Sequence, residues 1–579
     1  MSRRQSWTCA LVSGLFLGAV GCSEPSESHV ATVEEPESDA PSQLEPLLVD
    51  STAQSGIDFR HESGGVGNRE IAETIGSGLG LFDYDKDGDL DAYFVQSGPV
   101  RLPDNEESRE GSENALYANR GDGRFDFVES AAGADDDGYG IGCAVGDLDG
   151  DGWDDLLVLN WGANKLYRNN QGRFEDVTES SGMGVEDRWS VSAGFFDSEG
   201  DGDLDLYVVN YVLYEASSHL NKLFNPLAPE GFRMTPTPDI FPADFDQFFV
   251  NDGSGKLSDE CITAGFTTAI GKGLGVVVTD VDLDGLADLY VANDGTPNLF
   301  FRNQGENKFV EMGQQLGVAF NDDGRSESGM GVDTGDFDGD GDFDLFVTNF
   351  EDETNTIYLN SGEQSFGYRD KTRQARLAEP CRTLLGFGVL FEDFDLDSDL
   401  DLFLCNGHIF DNVEIIHSER TFEQVNMLFL GEDGRFELAP PELLGEGVVG
   451  PDVSRGSAVG DIDGDGILDL VISNNNSSAQ VILARPKNTD WARVELVGPK
   501  GNPHGLGANV WLVLADGRRL LRGVNSARSF ASASSTALVS GTPGGLASVE
   551  VQWPGGKRET FGPASAKDRV WRCVFGSGQ

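Results

Sequence analysis

The chain has 579 residues, with 41 Lys and Arg against 99 Asp and Glu, which gives a formal net charge of −58. This charge argues against nucleic acids and anionic membrane surfaces as partners, because both repel a polyanion. Length alone predicts two or three domains. Internal repeats change this number, because repeats that pack together form one domain.

The first 22 residues are typical of an export signal. Two arginines precede an apolar stretch from Trp7 to Val20, which is too short to span a bilayer comfortably. Gly21-Cys22 then resembles a bacterial lipoprotein box, so we expect lipidation at Cys22 and an anchored protein of the bacterial envelope, with plain secretion as the alternative. Residues 23–45 are rich in Ser, Pro and Glu and predict a disordered acidic linker.

One pattern recurs seven times between residues 46 and 486. Each copy has a Gly-rich apolar strand, an Asp-rich loop, a second apolar strand and a hairpin of two more short strands, as in residues 164–179. Four short strands in each of seven repeats predict an all-β fold, a seven-bladed β-propeller. Residues 48–52 copy the fourth-strand pattern of residues 174–178. We therefore predict that a strand near 46–52 completes the seventh blade and removes its open edge.

The Asp-rich loops, here called aspartate loops, follow the pattern Asp-x-Asp/Glu-x-Asp-Gly/Ser-x-x-Asp. They start at Asp83, Asp147, Asp197, Asp280, Asp336, Asp393 and Asp461. Calcium takes about six to eight oxygen ligands, and alternate carboxylates in a tight turn supply them if a small residue lets the chain reverse. An EF-hand is excluded because it needs Glu at its twelfth position, where all seven loops have an apolar residue. A metal-free polar turn is the alternative, although crowded carboxylates repel unless a cation neutralises them.

The sequence therefore predicts up to seven bound Ca²⁺ ions. In each loop we expect the first, third, fifth and ninth residues to bind through side chains and the seventh through its backbone carbonyl. The expected ligands are Asp83, Asp85, Asp87, Asp89 and Asp91; Asp147, Asp149, Asp151, Trp153 and Asp155; Asp197, Glu199, Asp201, Asp203 and Asp205; Asp280, Asp282, Asp284, Leu286 and Asp288; Asp336, Asp338, Asp340, Asp342 and Asp344; Asp393, Asp395, Asp397, Asp399 and Asp401; Asp461, Asp463, Asp465, Ile467 and Asp469.

These repeats resemble FG-GAP repeats, also called VCBS repeats, which form the calcium-loop blades of integrin alpha-chain propellers and occur in many bacterial surface proteins. The resemblance covers roughly residues 46–486, and it implies the same assignment of ligands to loop positions. Two residues depart from the family pattern: Glu199 at a third position, and Ser398 where Gly is usual.

Residues 487–576 resemble an ASPIC/UnbV domain, the module that follows such repeats in the cartilage acidic protein family. The resemblance rests on residues 491–496, 505–510 and 549–556, whose alternating pattern predicts antiparallel strands. The middle of the segment, residues 526–541, departs from the family's usual aromatic and Gln-containing stretch.

Long insertions at 96–114, 210–246 and 406–426 fall between second and third strands, at the end of the propeller opposite the aspartate loops. We call this end the loop face, and we expect a ligand there because binding residues often lie on loops above a rigid scaffold. Aromatic side chains on such loops suit sugar rings or a protein partner; alternatively they pack the insertions against the blades. The aromatic residues in or near these segments are Trp161, Tyr211, Tyr214, Phe224, Phe232, Phe241 and Phe245.

The sequence has no nucleophile elbow, P-loop or dinucleotide fingerprint. We expect an exported, non-catalytic binding or adhesion module with a protein or glycan ligand. One alternative is a calcium-dependent carbohydrate-active enzyme resembling a polysaccharide lyase, with His61 beside Glu62 or His408 beside Asp411 as general base. Another is a structural component of a cell-surface assembly.

Five cysteines follow Cys22: Cys143, Cys261, Cys381, Cys405 and Cys573. An odd number leaves at least one thiol unpaired, and the spacings give no zinc motif. We expect Cys143 and Cys405 to be buried apolar residues on strands.

Overall fold

The computed structural model describes residues 45–65, 69–100, 113–218, 235–362, 367–415, 417–445, 447–567 and 569–579. The predicted export signal, the lipidation site at Cys22 and nearly all of the 23–45 linker lie outside this range. Within it, no helix is both long enough and apolar enough to cross a membrane.

Residues 48–484 form seven four-stranded antiparallel units. Their strands, in chain order, are β1 Leu48–Asp50; β2 Leu79–Phe82, β3 Asp91–Phe94, β4 Ala115–Asn119, β5 Phe125–Val128; β6 Tyr139–Gly146, β7 Asp155–Gly162, β8 Lys165–Asn169, β9 Phe174–Asp176; β10 Arg188–Phe196, β11 Asp205–Asn210, β12 Gln247–Asn251, β13 Leu257–Asp259; β14 Gly273–Thr279, β15 Asp288–Asn293, β16 Leu299–Asn303, β17 Phe309–Glu311; β18 Val332–Gly335, β19 Asp344–Val347, β20 Thr356–Asn360, β21 Tyr368–Asp370; β22 Gly386–Glu392, β23 Asp401–Asn406, β24 Met427–Glu432, β25 Arg435–Leu438; β26 Ser454–Gly460, β27 Asp469–Asn474 and β28 Gln480–Ala484.

The helices of the described residues are short. The α-helices are α1 Thr52–Ser55, α2 Thr178–Ser181, α3 Cys261–Ala264, α4 Gly313–Leu316 and α5 Ala378–Cys381. The 3-10 helices are Ile71–Thr74, Glu129–Gly133, Pro238–Ile240, Phe266–Thr268, Val413–Ile415, Pro441–Leu443 and Pro563–Ser565. Most of these helices follow the fourth strand of a unit and lead back to the first strand of the next.

The first strands of the units close into a ring. Strands β2, β6, β10, β14, β18, β22 and β26 contact one another in that order, and β26 contacts β2. Small residues permit this approach, since a Cβ on Gly140 would lie 2.4 Å from Cγ1 of Val95 in the preceding unit. The predicted all-β propeller is therefore confirmed.

The N-terminal strand closes the last unit, as predicted. Strand β1 pairs antiparallel with β28, with Leu48 opposite Ala484 and Asp50 opposite Ile482. The outer edge of the unit formed by β26, β27 and β28 is thereby covered by the start of the chain. Closure of the ring therefore joins residues more than four hundred positions apart in the sequence.

The C-terminal domain consists of two four-stranded sheets. Its strands are β29 Trp491–Val497, β30 Asn509–Leu514, β31 Arg519–Gly523, β32 Ala527–Arg528, β33 Ser532–Ala533, β34 Leu538–Gly541, β35 Leu546–Gln552, β36 Arg558–Phe561, β37 Ala566–Lys567 and β38 Val570–Val574. The sheets have the orders β34-β29-β38-β37 and β31-β30-β35-β36, and they enclose a core that includes Val494, Val510 and Trp553.

The predicted antiparallel β domain is present, and one of its strand pairs is parallel. Strands β29 and β38 run parallel, with Arg493 opposite Val570 and Val497 opposite Val574. A parallel pair needs a long crossover connection, and the other sheet of the domain lies within the connection between these two strands. Pairing between strands so far apart leaves no local trace in the sequence.

Residues 527–535 leave the C-terminal domain and enter the centre of the ring. Strand β33 pairs parallel with β2 of the first unit. Ser529 and Val332 exchange two backbone hydrogen bonds of 2.9 and 3.0 Å in the fifth unit. At the tip, the ring of Phe530 packs edge-on against Phe387 of the sixth unit, with centroids 5.0 Å apart. A segment of the C-terminal domain therefore lies among the inner strands at the centre of the propeller.

Small and hydroxyl-bearing residues make this insertion possible. A Cβ on Gly78 would lie 1.7 Å from the carbonyl oxygen of Ala531, so the backbones touch directly. Leu79 N donates to Ser532 Oγ at 3.2 Å, and Val459 N donates to Ser534 Oγ at 3.2 Å. The Ser- and Ala-rich stretch that departs from the family pattern thus satisfies buried backbone groups of the inner strands.

Candidate metal centres and the loop face

Each aspartate loop joins the first strand of a unit to the second, and the first aspartate organises the turn. In all seven loops its Oδ2 accepts a hydrogen bond from the backbone N–H of the sixth residue, at 2.7 to 3.2 Å. The N–H of the seventh residue donates to the carboxylate of the fifth, at 2.9 to 3.2 Å. The carboxylates are thus held in place by the backbone of their own loop.

The ninth aspartate has a structural role besides its expected one as a ligand. Its Oδ2 accepts the N–H of the second loop residue at 2.8 to 3.4 Å. Its Oδ1 accepts an N–H at the end of the third strand at 2.7 to 2.9 Å. All seven are buried. This residue therefore connects the loop to the third strand of the sheet through backbone hydrogen bonds.

The loop carboxylates converge. Among the described residues, ligand oxygens lie within 4.8 Å of one another in groups that include Asp83, Asp85 and Asp91; Asp147, Asp149 and Asp155; Asp197, Glu199 and Asp201; Asp280, Asp282 and Asp284; Asp336, Asp338 and Asp344. Two oxygens bound to the same calcium ion are at most about 5 Å apart, given the usual metal–oxygen distance. The spacing therefore fits a calcium ion.

Several of these oxygens are buried without a hydrogen-bond donor. Among the described residues, Oδ1 has no hydrogen-bond partner in the first aspartates Asp83, Asp336 and Asp461 and in Asp282 of the fourth loop. Burial, partly offset by amide hydrogen bonds and reinforced by neighbouring carboxylates, raises the pKa of Asp91 to about 8. A buried anionic oxygen without a donor is costly unless a cation compensates it, so the donor set fits calcium.

The two residues that depart from the family pattern keep the loop geometry. Glu199 lies in one of the converging groups, and Asn307 Nδ2 donates to its Oε1 at 3.0 Å. Ser398 N makes the same bond to the first aspartate that Gly makes elsewhere, and Ser398 adopts φ 98° where the six glycines have 90° to 100°. This left-handed conformation is costly for a residue with a Cβ.

The pattern read from the sequence omitted a second left-handed position, the fourth residue of each loop. It has φ between 56° and 77° in all seven loops, at Gly in four of them and at Lys86, Leu283 and Leu396 in the others. Because three of the seven residues carry side chains, no glycine pattern marked the position.

Both candidate histidine bases are buried. His61 Nε2 lies 2.9 Å from Ser97 Oγ, its Nδ1 accepts from Asn476 N, and burial together with Arg455 lowers its pKa to about 3. His408 Nδ1 accepts from Phe410 N at 2.9 Å, and its Nε2 lies 3.3 Å from Glu351 Oε1.

The acids expected beside these histidines are not their partners. Asp411 instead pairs with Arg69, and Glu62 is exposed while the ring of His61 is buried. Both histidines hold loop backbone, as in the non-catalytic interpretation of the sequence.

Most of the aromatic residues near the insertions pack against the blades. Tyr211 packs against Trp189 with centroids 5.2 Å apart, and Tyr214 packs against Phe241 and Trp161, each at 5.0 Å. Phe245 remains 44% exposed, while residues 224 and 232 lie outside the described range. The packing interpretation therefore holds for Tyr211, Tyr214 and Phe241.

A cavity of about 530 Å³ opens on the loop face between the second and third units. Aromatic residues Trp161 and Trp189 line it, together with Arg188 and Asp244, whose side chains form an ion pair of 2.7 Å. Among the described residues, Trp189 Nε1 and Asp244 Oδ2 are buried and have no hydrogen-bond partner. The cavity thus combines aromatic surface with both donor and acceptor groups.

The five cysteines in the described part of the chain are thiols. Cys143, Cys261, Cys381, Cys405 and Cys573 are all free and buried. Cys143 lies in β6 and Cys405 in β23, as predicted. Burial raises the pKa of each of these two thiols to about 12, so neither is a reactive thiolate.

Family models match both parts of the chain. A model described as FG-GAP-like repeat matches residues 83–158, 147–208, 280–347 and 336–404. A model described as ASPIC and UnbV matches residues 498–571. Both resemblances inferred from the sequence are confirmed. The wider spans 46–486 and 487–576 stay predictions.

Curated relatives include cartilage acidic protein 1 from two animals. The Xenopus tropicalis protein is 28% identical over 295 residues, which are 49% of this chain and 42% of the relative. The Homo sapiens protein is 27% identical over 325 residues, which are 54% of this chain and 45% of the relative. The matched region thus spans less than half the length of these relatives.

Similar solved structures include two lectins. An Agrocybe aegerita lectin, in a structure on recognition of non-reducing terminal N-acetylglucosamine, has a TM-score of 0.35 and 14% identity, covering 70% of this chain and 87% of that chain. The BP39L lectin from Burkholderia pseudomallei has a TM-score of 0.40 and 8% identity, covering 71% and 96%. At such TM-scores these similarities carry no functional argument.

Proposed function

We propose that this chain, an FG-GAP-like repeat protein that carries an ASPIC and UnbV domain, is a calcium-binding, non-catalytic binding or adhesion protein. We propose that its ligand site lies on the loop face. Its predicted N-terminal signal supports export and attachment to the envelope through Cys22. Its calcium would be structural, since the aspartate loops lie at the end opposite the loop face.

The observation that carries the calcium proposal is the sevenfold repetition of one carboxylate geometry. Every loop fixes its first, fifth and ninth carboxylates by amide hydrogen bonds from the same loop positions. When bound, calcium supplies charge neutralisation to these carboxylates and joins the first strand of a unit to the second. We propose that all 35 residues predicted from the sequence are calcium ligands, through their side chains at the first, third, fifth and ninth loop positions and through the backbone carbonyl at the seventh.

The cavity on the loop face supports a glycan ligand. Trp161 is half-buried and offers an aromatic surface of the kind that packs against sugar rings. Arg188 and Asp244 offer charged hydrogen-bond partners for hydroxyl groups beside it. A protein partner on the same face is the second candidate, supported by the exposed apolar side chains of Leu213 and Phe245.

A glycan array tests the ligand proposal. We expect the purified protein to bind a glycan in the presence of calcium. Trp161→Ala should weaken this binding by about fivefold or more, which corresponds to the loss of an aromatic contact of about 1 kcal/mol or more. Phe127→Ala is the matched control, because Phe127 is an exposed aromatic residue on an outer strand. Equal binding by both variants would contradict the proposal.

Catalysis is tested separately. A polysaccharide depolymerisation assay on wild type and His408→Ala addresses the enzyme alternative, and we expect no activity in either. Activity that disappears in the variant would favour the enzyme.

A further inference from the structure

The C-terminal domain touches two aspartate loops through uncharged donors. Asn509 Nδ2 donates to Asp280 Oδ2 at 2.9 Å. Ser540 Oγ and Gly541 N both donate to Asp393 Oδ2 at 2.8 Å. Asp280 and Asp393 are the first residues of the fourth and sixth loops, and all three donors belong to the C-terminal domain.

In both loops, the C-terminal domain contacts the Oδ2 atom that also accepts the backbone N–H of the sixth loop residue. Oδ2 of Asp280 accepts Gly285 N, and Oδ2 of Asp393 accepts Ser398 N, as in every loop. Added donors on Oδ2 help to fix the plane of the carboxylate, whose Oδ1 accepts the N–H of the fifth loop residue, at 3.0 Å for Asp280 and 2.9 Å for Asp393. In the Asp83, Asp147, Asp197 and Asp336 loops, the hydrogen bonds of the described residues give Oδ2 only the amide of the loop itself.

The Asp280 and Asp393 loops also lack a hydrogen bond from the next unit that four of the other five loops have. In four loops, an Asn at the end of the next unit's third strand donates through Nδ2 to the carbonyl of the second loop residue, at 2.7 to 2.8 Å. The four loops start at Asp83, Asp147, Asp197 and Asp461. The equivalent residue is Ala484 for the Asp393 loop, which has no side-chain donor.

For the Asp280 loop the equivalent residue is Asn360. Its Oδ1 accepts Gly362 N within its own turn. Among the hydrogen bonds of the described residues, Asn360 Nδ2 makes none to the Asp280 loop. Of the three loops that the neighbouring unit does not hold in this way, the C-terminal domain hydrogen-bonds to the first aspartate of two, Asp280 and Asp393, and packs against Phe343 of the third.

We propose that the C-terminal domain completes the calcium sites of the Asp280 and Asp393 loops, with Asn509 and Ser540 as positioning residues. Groups that hydrogen-bond to a metal ligand orient it, and their loss typically lowers metal affinity by about 10- to 100-fold. By linkage, calcium bound at either loop strengthens docking of the C-terminal domain by the factor by which docking raises the calcium affinity of that loop. The inference rests on the proposed calcium binding.

Calcium titration of Asn509→Ala against Gln552→Ala tests the proposal. Asn509 and Gln552 are cross-strand neighbours, both buried, and Gln552 Nε2 contacts the same loop through the carbonyl of Leu283, at 3.0 Å, and no carboxylate. With a competing chromophoric chelator, we expect one calcium of Asn509→Ala to bind about 10- to 100-fold more weakly than in wild type. We expect Gln552→Ala to keep the wild-type affinities.

Hydrogen exchange supplies a second measurement. In wild type, added calcium should slow amide exchange in residues 505–512, and Asn509→Ala should lose most of this effect. Ser540→Ala tests the Asp393 loop independently, and it remains informative if Asn509→Ala fails to fold.

The outcomes separate the two proposals. Wild type that binds no calcium overturns the proposed function and this inference together. Wild type that binds calcium, with Asn509→Ala and Ser540→Ala showing the same affinities and exchange response as Gln552→Ala, overturns only this inference.

Discussion

Asn119 joins the first unit of the propeller to the last aspartate loop. Its Nδ2 donates to the carbonyl of Ile462 at 2.8 Å and to the carbonyl of Leu90 at 3.0 Å, and the residue is buried. One side chain thus links the loops that start at Asp83 and Asp461 across the point where the ring closes. The ring is held there by β1 on its outer edge and by Asn119 among the aspartate loops.

Asn119→Ala should therefore destabilise the protein. The change leaves the buried carbonyl of Ile462 and the partly buried carbonyl of Leu90 without this donor, at a cost of about 1–3 kcal/mol, and we expect a lower melting temperature in calcium-containing buffer. Asn360→Ala is the control, since the equivalent Asn360 makes no such bridge among the described residues. Equal melting temperatures for the two variants would contradict a linking role for Asn119.

Ser398→Gly should stabilise the protein. Ser398 has φ 98°, and its hydroxyl is buried without a hydrogen-bond partner among the described residues. Glycine relieves the left-handed strain, which costs about 1–2 kcal/mol in other residues, and part of this gain is offset by the entropy of the unfolded chain. We expect a net gain of about 1 kcal/mol, measured by chemical denaturation.

The reverse change tests the same argument in a loop that has glycine. Gly341→Ser introduces a side chain at φ 95°, and it should lower stability by a similar amount. A Ser398→Gly variant no more stable than wild type would show that the loop accommodates serine without strain.

Gly78→Ala should disrupt the channel. The new Cβ would lie 1.7 Å from Ala531 O, so the inserted segment 527–535 or the inner strand has to move. We expect a lower melting temperature and faster proteolytic cleavage within 527–535. Gly562→Ala is the control, because no atom lies within 4 Å of its added Cβ. Unchanged protease resistance of Gly78→Ala would contradict the insertion of this segment.

The Asp461 loop should be a weak calcium site. Arg493 lies 2.5 Å from Asp461, and Arg485 lies 2.6 Å from Asp463 and 3.3 Å from Asp465. A positive charge this close opposes a cation by about 1 kcal/mol or more even with strong solvent screening. We expect Arg485→Ala to tighten the weakest calcium site by roughly fivefold in a competition titration.

An arginine remote from the loops provides the control for this effect. Arg519 pairs with Glu550 in the C-terminal domain, and both side chains are exposed. Arg519→Ala should leave calcium affinity unchanged. If Arg485→Ala weakens calcium binding instead, the arginine supports the site and does not compete with the ion.

The sequence predicted features that repeat locally. Strand boundaries and the aspartate loops follow from patterns within a few tens of residues, and the closing strand β1 follows from its likeness to a fourth strand. The double hydrogen bonding of the ninth aspartate was not predicted, because its partners at the second loop position and the third strand are backbone N–H groups that any sequence supplies.

The contacts of the C-terminal domain were also not predictable. Pairing of β29 with β38, and of Ala533 with Gly80, joins residues distant in the chain with no periodic signal. The stretch at 526–541 stood out only as a departure from the family pattern. The structure gives a physical reason for its Ser and Ala residues, since Ala531 and Ser532 lie directly against glycines of the inner strands.

The most direct test of the account is the melting temperature with bound calcium and after complete chelation. With a formal charge of −58 and buried loop carboxylates, the calcium-free protein should suffer strong self-repulsion. We predict that chelation lowers the melting temperature by many degrees and that restoring calcium recovers it. A protein that melts at the same temperature with and without calcium would contradict the central claim.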